Sequence, residues 1–376
     1  MNREFDLLVV GGGPAGTSAA ITAARAGWRV LMLERGRVPR HKVCGEFVSA
    51  ESLSLLQWLL GEAGHEVIQR SLPLAESRLL LDGRTVRIPV DPPAASITRH
   101  ELDLALWEEA KKSGATVLQE TTVRGIQESS PFCLRASAGE FRGRALINAS
   151  GRWSNLRQKQ PTGADARWLG LKAHCLGETE SSVDLYFFKG GYCGVQPVRA
   201  SDGSTFVNVC ALVRPGIAVT LEQLFQSHSL LHARSRRWRT AFTPLSTFPA
   251  IFRKPCPVLG KIANAGDAAA FVDPFVGDGI SLALRGGHLA AFSLSAFFRG
   301  DCALEEALTE YAGNYRRALR PVYRVSSVLR KLLAVPRPLR APFLAACEMS
   351  PKIARYMVAA TRSRAFETAW IPMAQT

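Results

Sequence analysis

The sequence is poor in the side chains that most metal and disulfide chemistry requires. Histidine occurs seven times in 376 residues, and His41, His174, His228, His232 and His288 form no cluster at zinc spacing. Eight cysteines are scattered from Cys44 to Cys347 without a C-x-x-C pair. A structural zinc site is therefore not expected, and a chain this long buries enough core to dispense with a disulfide framework. Long apolar runs are missing as well: no segment reaches the ~18 unbroken apolar residues of a membrane span. No internal repeat or low-complexity tract is present. Acidic residues are outnumbered, 32 against 47 basic, for a formal charge of +15. Much of the excess sits late, at 234–239 and then at Arg316, Arg317, Arg320, Arg324, Arg330 and Lys331. Such clusters meet nucleic acid, anionic lipid or acidic substrates, or only solvent. For RNA, Trp238 alone among the arginines is thin support for base stacking, so nucleic acid is the least supported partner.

What is present organises itself around residues 5–36, FDLLVVGGGPAGTSAAITAARAGWRVLMLERG. Residues 5–10 are the short apolar run of a buried parallel strand. Gly11, Gly13 and Gly16 follow at G-x-G-x-x-G spacing. The first permits a tight turn, the second lets backbone approach a pyrophosphate, and the third lets the helix pack close to the sheet. Ala15, Ala19, Ala20, Ala23 and Ala24 form a small-residue stripe at helical spacing, and Gly27 ends the helix. Residues 29–33 are the second strand. Glu34 stands at its end, where a carboxylate can accept from ribose hydroxyls. The stretch therefore reads as a dinucleotide site. Glu34 disfavours a 2′-phosphate by charge repulsion, which leaves NAD or FAD.

Further along, Arg37, Arg40, His41 and Lys42 form a cationic loop leading into Cys44-Gly45. Ser49 is a candidate N-cap for a helix through Leu60. Residues 79–88 read as a hairpin turned at Asp82-Gly83, and Pro89, Pro92 and Pro93 are expected to break it. Residues 99–113 read as an amphipathic helix stopped by Gly114. Strands are expected at 116–119, 122–127 and 132–148, followed by a Ser150-Gly151 turn. Residues 166–215 hold several β-rich runs, and 221–232 reads as a helix. The expected fold class is α/β: a Rossmann-like dinucleotide-binding domain at 1–160 and 255–320, with a β-rich excursion at 70–98. An antiparallel-sheet substrate domain at 161–254 is inserted into it, and a basic helical C-terminal region follows at 321–376.

A second glycine-rich block decides between the two dinucleotides. Gly266-Asp267 is followed by Pro274 and then Gly277-Asp278-Gly279-Ile280, another strand-to-helix junction with exposed amides. A helix N-terminus attracts an anion, and Asp267 suits polyol hydroxyls. Two such sites far apart in sequence suit a cofactor longer than NAD.

With GGGPAG, Glu34, Arg99 followed by Leu102 and Asp103, and GDAAAFVDPFVGDGI, residues 1 to about 320 resemble the FAD-dependent p-hydroxybenzoate hydroxylase-like superfamily. The resemblance implies FAD as cofactor. It implies that Gly11, Gly13, Ala15 and Gly16 lie against the pyrophosphate, that Glu34 binds the adenosine ribose, and that Arg99 reaches the pyrophosphate or ribityl region. Val123 would offer backbone to the adenine, and Asp267 would bind the ribityl chain. Gly277, Gly279 and Ile280 would present amides to the flavin pyrimidine edge, stabilising negative charge there. Pro14, Arg35, Cys44, Gly45, Gly266 and Pro274 complete the expected cofactor-binding set.

Within the superfamily, Lys42-Val43-Cys44-Gly45 resembles the loop of the geranylgeranyl reductase-like branch. Gly190-Gly191-Tyr192 with Pro197, and Val207-Asn208-Val209, resemble its substrate-domain strands. Ser150-Gly151 stands where aromatic hydroxylases carry Asp-Gly. Cys193-Gly194 departs from the aromatic residues usual in the reductases, and the W-x-W-x-I-P motif of flavin halogenases is absent. The implied function is an FAD-dependent oxidoreductase reducing or dehydrogenating C–C bonds of a bulky hydrophobic molecule: an isoprenoid, lipid or polyketide-like compound. The alternatives are an FAD-dependent monooxygenase on an aromatic or polyketide-like substrate and, as a minor one, an RNA-docking flavoprotein. No catalytic side chain and no metal ligand can be assigned. With one nucleotide fingerprint, electrons are expected from transient NAD(P)H or from a reductase or ferredoxin. The early first strand leaves no room for a signal peptide, so a cytoplasmic location is expected. In 314–364, arginines alternate with Leu329, Leu332, Leu333, Val335, Leu339 and Phe343. Such a segment can lie on the inner face of an anionic membrane or pack over the FAD domain.

Overall fold

The computed structural model describes residues 4–152, 167–271, 273–350, 352–353 and 355–356. The portions of the expected domains at 153–166 and 357–376 lie outside the described residues.

Two sheets carry the architecture. The first is built on β1 (Glu4–Val10), which pairs in parallel with β2 (Val30–Leu33) on one side and β9 (Gly139–Asn148) on the other. β6 (Thr116–Leu118) extends it beyond β2, and β17 (Ile262–Asn264) with β16 (Val258–Leu259) extends it beyond β9. The hairpin β7 (Val123–Gln127) and β8 (Phe132–Ala136) is attached through β9. β1 is apolar from Leu7 to Val10 because both its faces are covered there. Leu7 and Val9 pack toward the helical layer, and Leu8 and Val10 toward the β7–β8 side.

The helical layer contains α1 (Pro14–Arg25), α4 (Arg99–Lys112) and α7 (Gly279–Arg299). Proline opens α1, where its missing N–H costs nothing. The alanine stripe lets α7 come very close: a Cβ at Gly287 would stand 1.9 Å from the Ala15 carbonyl oxygen. Ser18 donates to the Leu284 carbonyl at 2.7 Å across the same contact. α7 is long and apolar enough to cross a membrane by length and composition, but most of it is buried inside the protein. Its apolarity is that of a core helix.

The second sheet runs β14 (Arg239–Thr240), β10 (Trp168–Leu176), β13 (Thr205–Val213), β12 (Gly191–Arg199), β11 (Ser182–Phe188), β4 (Leu72–Leu81), β5 (Arg84–Ser96) and β3 (Phe47–Val48), with β15 (Leu245–Ala250) also on β10. The expected hairpin is there, with Asp82 and Gly83 both at positive φ. Two expectations change. The 70–98 segment, expected as an excursion of the FAD domain, shares one sheet with the 161–254 strands through parallel β4–β11 pairing. The prolines do not end it either. β5 continues through Pro89, Pro92 and Pro93, with a register shift opposite Leu74 and Glu76 absorbing the irregularity.

Helices also depart in detail. Ser49 makes no capping bond; α2 (Leu53–Leu60) starts later, after a 3-10 turn, and α3 (Glu62–Arg70) follows. The 221–232 helix is two short ones, α5 (Leu221–Gln226) and α6 (Ser229–Ser235), packed beneath the second sheet through Leu221, Leu224 and Leu231.

After α8 (Leu304–Ala318), the basic region forms α9 (Arg320–Ala334) and α10 (Arg337–Met349). α9 joins the core of the first sheet and its helices through Val322 and Tyr323. Leu344 and Cys347 of α10 pack instead on Leu81, Val86 and Ile88 of the β4–β5 hairpin. Arg340 clamps Asp82 at the hairpin turn with two 2.7 Å bonds. The tail thus spans from the first unit to the second.

Candidate active site

A cavity of about 610 Å³ runs between the two sheets. One end is made of backbone. Gly11, at φ +110°, turns tightly enough that a Cβ there would lie 2.3 Å from the Ala149 carbonyl oxygen. A Cβ at Gly16 would lie 1.7 Å from the Gly11 oxygen. Gly13, Gly45 and Gly279 behave differently. They line the cavity, and a methyl group on any of them would meet nothing within 4 Å. Glycine is thus required for packing at Gly11 and Gly16, and keeps the backbone open to a ligand at the other three.

Glu34 lines this end with both oxygens engaged. It accepts from the Gly12 amide at 2.8 Å, from the Gly36 amide at 2.9 Å and from Arg40 at 2.9 Å. A carboxylate offers about four acceptor sites, so one remains for a hydroxyl. Pro14, Ala15, Arg35, Val123, Gly266, Asp267, Pro274, Gly277 and Ile280 line the same cavity. Gly16 does not: it stands behind the turn. The residues singled out around 11–35, 44–45, 99, 123 and 266–280 therefore converge on one space.

Midway along the cavity, the cationic loop meets α4. Arg99 grips Asp103 with bonds of 2.9 and 2.8 Å, one helical turn away, and Lys42 reaches the same carboxylate at 2.7 Å. Burial alone would raise the Asp103 carboxyl, but Arg99 and Lys42 outweigh it and hold it below its ordinary value. Burial pushes the Lys42 ammonium down, and Asp103 only partly offsets this. Two cations around one carboxylate leave a net positive charge beside Cys44. Cys44 accepts from the Glu46 amide at 3.4 Å. Arg99 therefore lines the cavity, but Asp103 engages its guanidinium.

Behind Cys44-Gly45 lies a cluster that carries no recognisable motif. Glu46 is fully buried at φ +60°. It accepts from Lys172 at 2.5 Å, from the Arg99 amide at 2.9 Å, and pairs with His174 Nε2 at 2.7 Å. Burial would raise its carboxyl, yet Lys172 and His174 hold it down at about 2. Gln196 donates to the Glu46 carbonyl at 3.1 Å and Asn208 to the Gly45 carbonyl at 2.7 Å. These bonds fasten the loop to the second sheet. His174, unassigned from sequence, thus has a structural partner. His288 likewise meets Thr22 at 2.9 Å.

The far end is apolar. Alternate residues of β12 (Tyr192, Gly194, Gln196) and of β13 (Asn208, Cys210, Leu212) face the cavity, as the two-residue strand period requires. Leu79, Ile88, Val90, Val183 and Leu185 extend the wall, and Phe275 covers it. Leu329 and Leu333 of α9 and Phe343 of α10 close it. These three were singled out in sequence for a membrane or for packing over the FAD domain; here they line the cavity. Their apolar spacing was the available signal, but not its target. Asp273, beside this wall, is pushed up to about 6 by burial. Arg234, in the basic cluster considered for RNA, is tied to Asp184 and Tyr186. No group of three or more metal-ligating side chains occurs among the described residues.

Comparison with known proteins follows the same lines. Residues 4–325 match the family described as the FAD binding domain. The menaquinone reductase of Mycolicibacterium smegmatis is 27% identical over 377 residues, covering 90% of this chain and 86% of that protein. Conditioned medium factor receptor 1 of Dictyostelium discoideum is 25% identical over 345 residues, and the match spans 82% of this chain and 66% of that longer protein. Among solved structures, a geranylgeranyl bacteriochlorophyll reductase-like protein from Thermoplasma acidophilum superposes with a TM-score of 0.77 at 19% identity, covering 96% of each chain.

Proposed function

The chain belongs to the FAD binding domain family, and from that premise we propose that it reduces or dehydrogenates a carbon–carbon bond of a bulky hydrophobic molecule of isoprenoid, lipid or polyketide type. It is an FAD-dependent oxidoreductase, and its cofactor is FAD. The open backbone at Gly13, Gly45 and Gly279 fits that group. FAD, when bound, supplies hydride or electron transfer. One observation carries the reading: a single cavity joins the glycine turns at 11–16 and 277–279 to an apolar wall closed by the tail.

The chain's own residues have separable tasks in this proposal. Gly13, Ala15 and the start of α1 hold the pyrophosphate through amides, and Glu34 accepts from the ribose. Gly277, Gly279 and Ile280 offer amides at the other strand-to-helix junction. Arg99, Lys42 and Asp103 keep the Cys44-Gly45 loop in a positive field, which favours negative charge on a neighbouring group. The apolar wall binds substrate by burying its surface and excludes water from the reacting bond. NAD(P)H or a reduced ferredoxin is the proposed electron source.

The tail also presents exposed Val328, Leu339 and Met349 beside exposed Arg320, Arg324, Lys331 and Arg337. That combination fits the anionic inner face of a membrane, from which a lipid-like substrate would enter. Flotation with anionic liposomes should carry the full chain, and Leu339→Glu with Met349→Glu should release it; equal flotation of both would end the membrane proposal.

The reaction itself is tested anaerobically. The purified flavoprotein is reduced with NADH, NADPH or ferredoxin and offered a polyunsaturated isoprenoid, before and after oxygen is admitted. Loss of a double bond without oxygen is expected. Product that forms only with oxygen, and carries an added oxygen atom, would favour the monooxygenase reading instead.

A further inference from the structure

Five cations line the cavity: Arg35, Arg40, Lys42, Arg99 and Arg152. The FAD pyrophosphate carries two negative charges, so which of them meets it matters. Three are already engaged by carboxylates that are themselves buried. Arg40 holds Glu34, and Arg99 and Lys42 share Asp103. Each of these therefore spends part of its charge on a buried carboxylate. Arg35 is exposed beside Glu34, at the ribose end.

Arg152 differs. Its side chain is mostly buried, and among the described residues the carboxylate it meets is that of Asp267, through Nε at 3.3 Å, itself about one-third exposed. Its guanidinium lies 4.5 Å over the Phe271 ring, which holds the charged plane in place while its donors stay available. It follows directly on the Ser150-Gly151 turn that packs against Gly11.

We propose that Arg152 is a counter-ion of the FAD phosphates. The proposal rests on FAD being the cofactor. Arg152 then bridges Asp267, at the ribityl chain, to the phosphates. The affected quantity is affinity for the phosphate-bearing part of the cofactor, independent of turnover.

The test measures dissociation constants of the flavin-depleted full chain for FAD and for riboflavin, by flavin fluorescence, over a range of salt. Arg152→Gln should weaken FAD by about tenfold to a hundredfold, the scale of a charge-assisted contact. It should leave riboflavin unchanged and flatten the salt dependence of FAD binding. Arg152→Lys should recover part of the loss, and exposed Arg236→Gln, with the same change in net charge, should bind FAD as the parent does. The proposal is overturned if Arg152→Gln binds FAD as tightly as the parent, or loses riboflavin in proportion. A misfolded Arg152→Gln transfers the same comparison to Arg152→Lys, where undiminished FAD affinity overturns it. Failure of the parent chain to bind FAD would instead remove the cofactor reading on which the proposal stands.

Discussion

The two ends of the cavity are built in opposite ways. The nucleotide end is largely backbone at tight glycine turns, where a single methyl group at Gly11 or Gly16 would overlap a carbonyl oxygen. The substrate end is side chain, contributed by segments as distant as Leu79 and Phe343, and is held by burial of apolar surface. Backbone clash is steep in distance, whereas apolar packing accommodates small changes in shape. One cofactor can therefore be kept while the substrate wall varies.

The largest effect should come from the nucleotide end. Gly16→Val should abolish flavin retention and most soluble protein, read from flavin absorbance per chain and from yield. A yellow variant of normal thermal stability would break the contrast between the two ends. Next comes the seam between them. Glu46→Gln leaves Lys172 buried without its partner and should cost about 3–5 kcal/mol in denaturant unfolding. The parent should show an acid-dependent loss that this variant lacks. The Glu46 carboxyl is held at about 2 against an ordinary 4.5. Its contribution is thus fully present above pH 4.5 and disappears as pH falls from there toward 2. Identical pH slopes in the two proteins would show that the cluster is not the coupling point.

At the substrate end, Leu344→Ala should cost about 2–4 kcal/mol of tail docking. It should expose α9–α10 to protease and weaken binding of a hydrophobic dye, while flavin content stays at the parent level. Loss of flavin in that variant would mean that the ends are not separable. The smallest effect is expected from Arg340→Ala. Its ion pair with Asp82 lies at the partly exposed hairpin turn and should be worth about 1 kcal/mol, less at high salt, in hydrogen exchange of α10.

The same contrast explains what was legible beforehand. The β1–α1–β2 unit could be read residue by residue because each glycine answers to a local constraint. The Arg99–Asp103 pair was also visible in principle, being four residues apart on one helix. The β4–β5 hairpin was recognisable from its turn, but its sheet was not, because parallel pairing with β11 joins segments a hundred residues apart and leaves no local mark. Glu46 carried no signal at all: its partners Lys172 and His174 lie on a strand far along the chain. For Leu329, Leu333 and Phe343, the apolar pattern was evident, but a pattern states only that a face is buried, not against what.

The amino-acid sequence by itself determined the α/β class, the FAD fingerprint and the second glycine junction, because those depend on backbone conformations that only particular residues adopt. Tertiary structure alone decided that the β4–β5 hairpin belongs to the substrate sheet, that the basic tail closes the cavity, and that Arg152 meets Asp267. Those facts depend on which distant surfaces meet, and burial of apolar area is non-directional until the chain has folded.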